Sequence, residues 1–277
     1  MSPAVAAARR SARAVVIGPG ARRALRDGAG ATAGGAVDLA FGPGGYVRLG
    51  RRRVLLAPAR SPLGPLSILV AGLARGDLVV GDPAVVGGGA LLVGPLRIEL
   101  AGAREPPAPR ATELAPGWPA ALDAALGGVA APPPALLRGL DALAAGDLSR
   151  AVAQLAGRGD GLTPAGDDVL AGFAAWRWAG GAPVSLATQR CAPLGRDYLR
   201  CAERGELPEP AARVMDAIRT GDAGSATRRA RRLTAWGTSS GPALLWGMAA
   251  AAGVEPRLVR HGGALCHRQR RQVVHRA

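Results

Sequence analysis

The hydrophobic rhythm of this chain changes near its middle. Within residues 14–26 a short apolar run, a Gly18-Pro19-Gly20 turn and a piece bearing Arg22 and Arg23 read as strand, turn and helix. From Gly45 to Leu100 the apolar and β-branched positions fall into short runs at 46–49, 53–57, 66–70, 78–80, 91–93 and 96–100, separated by Gly, Pro and Asp. Such runs with such punctuation predict strands, and many in one block predict a barrel or sandwich. Pro106, Pro107, Pro109, Pro116 and Pro119 then mark a boundary. Beyond it the apolar residues recur at helical spacing across 119–127, 135–145, 147–156, 164–179, 187–204, 208–220, 222–236 and 241–252. The predicted class is α+β, a β-rich barrel- or sandwich-like N-terminal part (1–105) packed on an α-helical C-terminal part (119–256). Residues 106–118 are the expected linker and 257–277 an expected disordered basic tail.

The most tightly specified stretch lies where a glycine loop meets one of these helices. Residues 157–172 read Gly-Arg-Gly-Asp-Gly-Leu-Thr-Pro-Ala-Gly-Asp-Asp-Val-Leu-Ala-Gly. Gly157, Gly159 and Gly161 allow turns that a side chain would block. Thr163 followed by Pro164 predicts a helix start, with the hydroxyl as cap and the proline at the first helical position. Asp167 and Asp168 then fall in the first turn, where the helix dipole favours negative charge. A glycine loop feeding a helix N-terminus is a common way to hold an anion. Taken alone, the spacing also fits an ordinary capped helix whose acids serve only the dipole. The motif is neither a Walker loop, lacking Gly-Lys-Ser/Thr, nor a dinucleotide fingerprint, because the segment before it reads as helix.

Residues 237–247, Gly-Thr-Ser-Ser-Gly-Pro-Ala-Leu-Leu-Trp-Gly, repeat the design. Both segments fit Thr-x-x-Gly-x-x-x-Leu-x-Gly, pairing Thr163 with Thr238, Gly166 with Gly241, Leu170 with Leu245 and Gly172 with Gly247. Pro242 is expected near the start of the second helix. Glycine inside a helix costs ~1 kcal/mol relative to alanine, so Gly172 and Gly247 predict close backbone approach between helices. The two helix N-termini are expected to converge on one site presenting Thr163, Thr238, Ser239, Ser240 and backbone N–H groups. Two ordinary helices in an Ala- and Gly-rich bundle fit the same pattern. Beyond these paired starts no longer repeat is legible.

Composition narrows the partners. All 35 basic residues are arginine and the formal net charge is +15. The absence of lysine and asparagine, with the Ala, Gly and Pro excess, reads as codon bias from a GC-rich genome. Aromatic residues make up only 3% and do not interleave with the basic ones, which argues against a nucleic-acid platform. Clusters such as Arg51-Arg52-Arg53 and Arg228–Arg232 read as solvated faces or subunit contacts, and small anions are the natural partner for so much arginine. No apolar run approaches the ~18 residues of a membrane span, and the run after Arg13 is too short for a signal peptide. Cys191, Cys201 and Cys266 are an odd set without metal-knuckle spacing, which points to a cytoplasmic protein with reduced thiols. His261, His267 and His275 with Cys266 fit no usual zinc pattern.

The segment from Gly161 to Gly172 resembles the signature of the AllH-type family, in which Gly-x-Gly-x-Gly-Leu-Thr-Pro-Ser-Gly-Asp-Asp opens a helix; Ala165 stands here for the usual serine. The segments 199–205 and 237–241, and Gly64-Pro65 before an apolar strand, are similar to other family segments. The chain departs from the family at Cys191, Ala192 and Gly195, where Thr-Thr-x-x-Ser is common, and at Ala243, where an acid is common. The resemblance implies a subunit of oxamate carbamoyltransferase, working with FdrA-type and AllG-type subunits in purine and allantoin nitrogen catabolism. The implied reaction moves a carbamoyl group between oxalurate and phosphate. Such a site needs an anion cradle and oxyanion donors, for which Gly159, Gly161, Gly166, Gly241, Thr163, Thr238, Ser239 and Ser240 are the candidates, and positive charge, for which Arg158 is one. Asp167 and Asp168 are the candidate catalytic pair, to orient a substrate amide or bind Mg²⁺. The alternative is a non-catalytic assembly or regulatory subunit that binds a small anion.

Overall fold

The computed structural model describes residues 10–29, 34–111 and 113–254. The tail expected at 257–277, with its histidines and Cys266, lies outside the described residues.

Strands β1 (Arg10–Ile17), β2 (Gly35–Phe41), β3 (Gly44–Leu49), β4 (Arg52–Pro58), β5 (Ser67–Ala71), β6 (Pro83–Gly87), β7 (Ala90–Val93) and β8 (Leu96–Glu99) close into a barrel in the order β1-β5-β4-β3-β2-β6-β7-β8. The β1–β8 and β4–β5 pairs are parallel and the others antiparallel. The barrel leaves no sheet edge open, and its interior is filled by residues such as Val47, Val54, Leu56, Ile68, Leu91 and Ile98. Helix α1 (Pro19–Gly28) packs its small Ala21 and Ala24 into the same core. Gly18 makes this possible, since a Cβ there would sit 2.4 Å from the Gly64 carbonyl oxygen.

The α+β class is as the sequence predicts, with two differences among the strands. Residues 78–80 form no strand; Gly76 and Gly81 turn the backbone at φ +89° and +91° on either side, and Val79 and Val80 are exposed. Strands β2 and β6 escaped the periodicity. β2 changes register between Val37 and Leu39, and β6 is a five-residue run between proline and glycine.

The C-terminal part comprises α2 (Trp118–Leu126), α3 (Pro134–Ala144), α4 (Leu148–Leu155), α5 (Ala165–Ala179), α6 (Pro193–Ala202), α7 (Glu209–Arg219), α8 (Ala223–Thr234) and α9 (Ser240–Ala251). Helix α6 is shorter than expected because 187–192 is extended and turn structure before Pro193. Helices α5 and α9 are buried around most of their surface and form the centre of the bundle. They cross at the glycines. A Cβ on Gly172 would lie 2.1 Å from the Leu244 carbonyl oxygen, and one on Gly247 would lie 2.0 Å from that of Val169.

A repeat that the sequence hides is plain in the helix boundaries. Helices α3, α4 and α5 begin at residues 134, 148 and 165, and α7, α8 and α9 at 209, 223 and 240, a constant offset of 75. The correspondence reaches the details. Gly146 and Gly221 have φ +79° and +76°, and Asp147 and Asp222 accept the N–H of Arg150 and Ser225 to cap the next helix. Gly166 and Gly241 each press on the carbonyl of the preceding helix, at Leu155 and Leu233. The side chains between these points pack against different neighbours and have diverged, which is why only the helix starts match in sequence.

Three polar contacts fix the barrel to the bundle. Arg23 makes a bidentate ion pair with Glu206 at 2.6 and 2.5 Å. The Arg53 N–H donates to Asp197 at 3.2 Å, and the Glu209 N–H donates to the Leu63 carbonyl at 2.8 Å. Between them Leu66, Leu194 and Cys201 pack with Tyr46 and Tyr198.

Candidate functional site

A cavity of about 290 Å³ lies at this seam. The bundle supplies Thr163, Asp168, Tyr198, Glu206 and Ser240, and the barrel supplies Phe41 and Tyr46. Asp168 and Glu206 are its charged lining groups; among the described residues no arginine lines it.

Thr163 does not cap α5. Pro164 occupies the cap position, with no side-chain hydrogen bond to the helix, because the loop before it folds back on the helix start. The Gly166 N–H donates to the Arg158 carbonyl at 2.8 Å, and the Asp167 N–H to that of Pro164. Freed from capping, the Thr163 hydroxyl lies 3.3 Å from the Ser240 hydroxyl at the start of α9. The two motifs therefore do meet, through their side chains. Pro242 is the third residue of α9 rather than the first, with Ser239 at the cap position.

The two acids differ in role. Asp167 is 1% exposed, and its oxygens accept the N–H of Gly157 at 2.7 Å and of Ala192 at 2.9 Å. It ties the glycine loop to the start of α6, and Gly195 leaves room for it, since a Cβ there would lie 2.2 Å from Asp167 Oδ2. Both oxygens of this carboxylate are thus engaged in holding backbone. Among the described residues no group of three or more His, Cys, Asp and Glu is placed to hold a metal.

Asp168 lines the cavity, and its Oδ2 is buried without a hydrogen-bond partner. Burial pushes its pKa up to about 7; the nearby hydroxyls of Ser240 and Thr163 pull it down, and the charge of Asp167 adds to the rise. Tyr46 and Tyr198 stand close by. Burial raises both phenols, Tyr198 well above the ordinary tyrosine value, and each also feels the charge of Asp168. Asp168 is thus a buried carboxyl that exchanges a proton near neutrality, beside two hydroxyls and a pair of phenols.

The remaining predicted residues lie around this centre. Arg158, Gly159 and Gly161 are exposed on the loop, the glycines at φ +112° and +92°. Thr238 is exposed and Ser239 half-buried in the turn before α9, and Gly166 and Gly241 are buried in helix contacts. Sequence reasoning missed Tyr46, Tyr198, Glu206 and Trp236. A signal existed: the chain has only two tyrosines, and both stand at this cavity.

Barrel, bundle and seam define an α+β protein with an acid-and-hydroxyl pocket between its two parts. Residues 155–252 match the family described as oxamate carbamoyltransferase subunit AllH, which bears out the resemblance read from the sequence. The match is to the C-terminal part of the chain, and the matched segment holds the bundle wall of the pocket but not Phe41 or Tyr46. No curated protein and no solved structure matches the chain.

Proposed function

We propose that this protein is a cytoplasmic carbamoyltransferase subunit whose pocket at Asp168 holds the carbamoyl end of the substrate. The observation that carries this reading is Asp168 itself, a buried carboxyl with an unpartnered Oδ2 whose side chain lines a cavity that no arginine lines among the described residues. A carbamoyl group offers N–H donors that suit a carboxylate and a carbonyl that suits the hydroxyls of Thr163 and Ser240. A bare anion in the same place would face Asp168 and Glu206.

The proton balance of the reaction gives Asp168 a task. Phosphate attacks the carbamoyl carbon of oxalurate, the bond to the amide nitrogen breaks, and carbamoyl phosphate and oxamate result. The attacking hydrogen phosphate loses a proton and the departing nitrogen gains one. A carboxyl with a pKa near 7 is suited to carry it between them. The neighbouring hydroxyls of Thr163 and Ser240 support this reading as candidate donors to the developing oxyanion.

The test is reconstitution with the FdrA-type and AllG-type subunits and assay of carbamoyl phosphate formation from oxalurate, omitting each chain in turn. Activity should require this chain and fall at least 100-fold with Asp168→Asn, the usual scale for loss of acid–base catalysis. Full activity without this chain would assign it the assembly or regulatory role instead.

A further inference from the structure

A second concavity of opposite chemistry adjoins the pocket. Its volume is about 440 Å³, and its walls include Arg60 from the turn after β4 and Arg213, Arg229 and Arg232 from α7 and α8. One acid, Glu209, shares these walls and is paired with Arg213. Arg229 donates from Nη1 to the Arg213 carbonyl at 2.8 Å, so two of the four guanidinium groups are held in place by the fold. From outside the walls, Asp216 and Asp222 attract Arg229. With four arginines and one acid in its walls, and two further acids behind Arg229, the groove keeps a positive balance.

The groove adjoins the interior through shared walls. A hollow of about 280 Å³ lies between the two, sharing Ser61 and Pro62 with the groove and Leu55 and Tyr198 with the pocket. Trp236 belongs to the walls of all three.

We propose that this arginine groove is a binding site for the phosphate group of a small ligand, opening past Trp236 onto the Asp168 pocket. Guanidinium forks match phosphate oxygens in pairs, and side chains already held by the fold lose less freedom on binding. A ligand with a neutral amide end and an anionic end is sorted by the two chemistries, amide inward and phosphate outward. That orientation rests on the reading of the Asp168 pocket; the phosphate site does not.

Calorimetric titration tests it, with inorganic phosphate and with pyrophosphate at matched ionic strength. The proteins are the parent, Arg229→Gln, Arg232→Gln, Asp168→Asn and, as a control on the exposed loop, Arg158→Gln. Saturable binding should weaken at least tenfold in each groove variant and stay at the parent value in the Asp168 and Arg158 variants. Tighter binding of pyrophosphate would identify a phosphate ester or anhydride as the ligand class, and equal binding would identify free phosphate. Three results overturn the proposal. One is no saturable binding of either probe. Another is equal weakening in Arg158→Gln, the mark of general attraction to a cationic chain. The last is loss confined to Asp168→Asn, which would move the phosphate to the inner pocket while leaving that pocket's own assay to be judged separately.

Discussion

Asp167 and Asp168 are consecutive residues whose carboxyl groups have opposite fates: the first is held by two backbone N–H groups, and the second lines a cavity with one oxygen unpartnered. Successive helix positions point about 100° apart. One acid therefore faces the loop and α6 while its neighbour faces the barrel.

Asp168 should make stability depend on pH in a definite sense. With its pKa raised to about 7 from 3.8, the folded protein keeps a proton that the unfolded chain has released. Its stabilising contribution is full below pH 4, declines as pH rises towards 7 and is lost above that. Asp168→Asn removes this slope. Urea melts at pH 5 and pH 8 should show the variant gaining on the parent with rising pH, by at most about 3 kcal/mol between the two. Parallel pH profiles would show that the carboxyl ionises normally.

Asp167→Asn is expected to act on folding. The amide keeps one acceptor and turns an NH₂ towards a backbone N–H, at Gly157 or Ala192. Leaving buried donors unsatisfied costs about 1–3 kcal/mol, to be read from urea denaturation. A variant as stable as the parent would mean that the loop is held by other contacts.

The α5–α9 crossing should tolerate no added methyl group. Gly172→Ala and Gly247→Ala each place a Cβ about 2 Å from a carbonyl oxygen of the facing helix, and backbone cannot swing aside as a side chain can. Each should cost about 3 kcal/mol, at the upper end of ordinary overpacking. Thermal melts check this, with Gly161→Ala for contrast; its Cβ meets nothing, and strain at φ +92° is the cost there.

The Arg23–Glu206 pair should show strong coupling. Its side chains are 20% and 7% exposed, so Arg23→Met strands a carboxylate beside the pocket, at about 3 kcal/mol. Adding Glu206→Gln should recover most of that loss. A double-mutant cycle of denaturation free energies measures the coupling, and additive losses would show that the pair does not fasten barrel to bundle.

The sequence made legible what local rules govern. The β-rich and helical halves follow from residue spacing, and the helix contacts of Gly172 and Gly247 follow from the cost of glycine within a helix. The bearing of Thr163 was not legible, because Thr-Pro fits a capping pair equally well, and only the fold-back of the Arg158 carbonyl onto Gly166 releases the hydroxyl. Nor could spacing separate Asp167 from Asp168, since that depends on where α6 and the barrel lie. Tyr46 and Tyr198 come from different halves of the chain and meet only once the seam is built.

The glycine crossing also decides which side of the pocket can yield. Asp168 and Ser240 stand on two helices locked backbone to backbone, with Thr163 just before the first of them, so they form an unyielding floor. Any widening to admit a ligand falls to the opposite side. There Phe41 sits at the end of β2 with 47% of its surface exposed, and Trp236 stands next to Gly237, whose φ of +69° marks a turn. The acid and hydroxyl side of the pocket is held still, and the side facing it carries an aromatic ring at a strand end and another beside a turn.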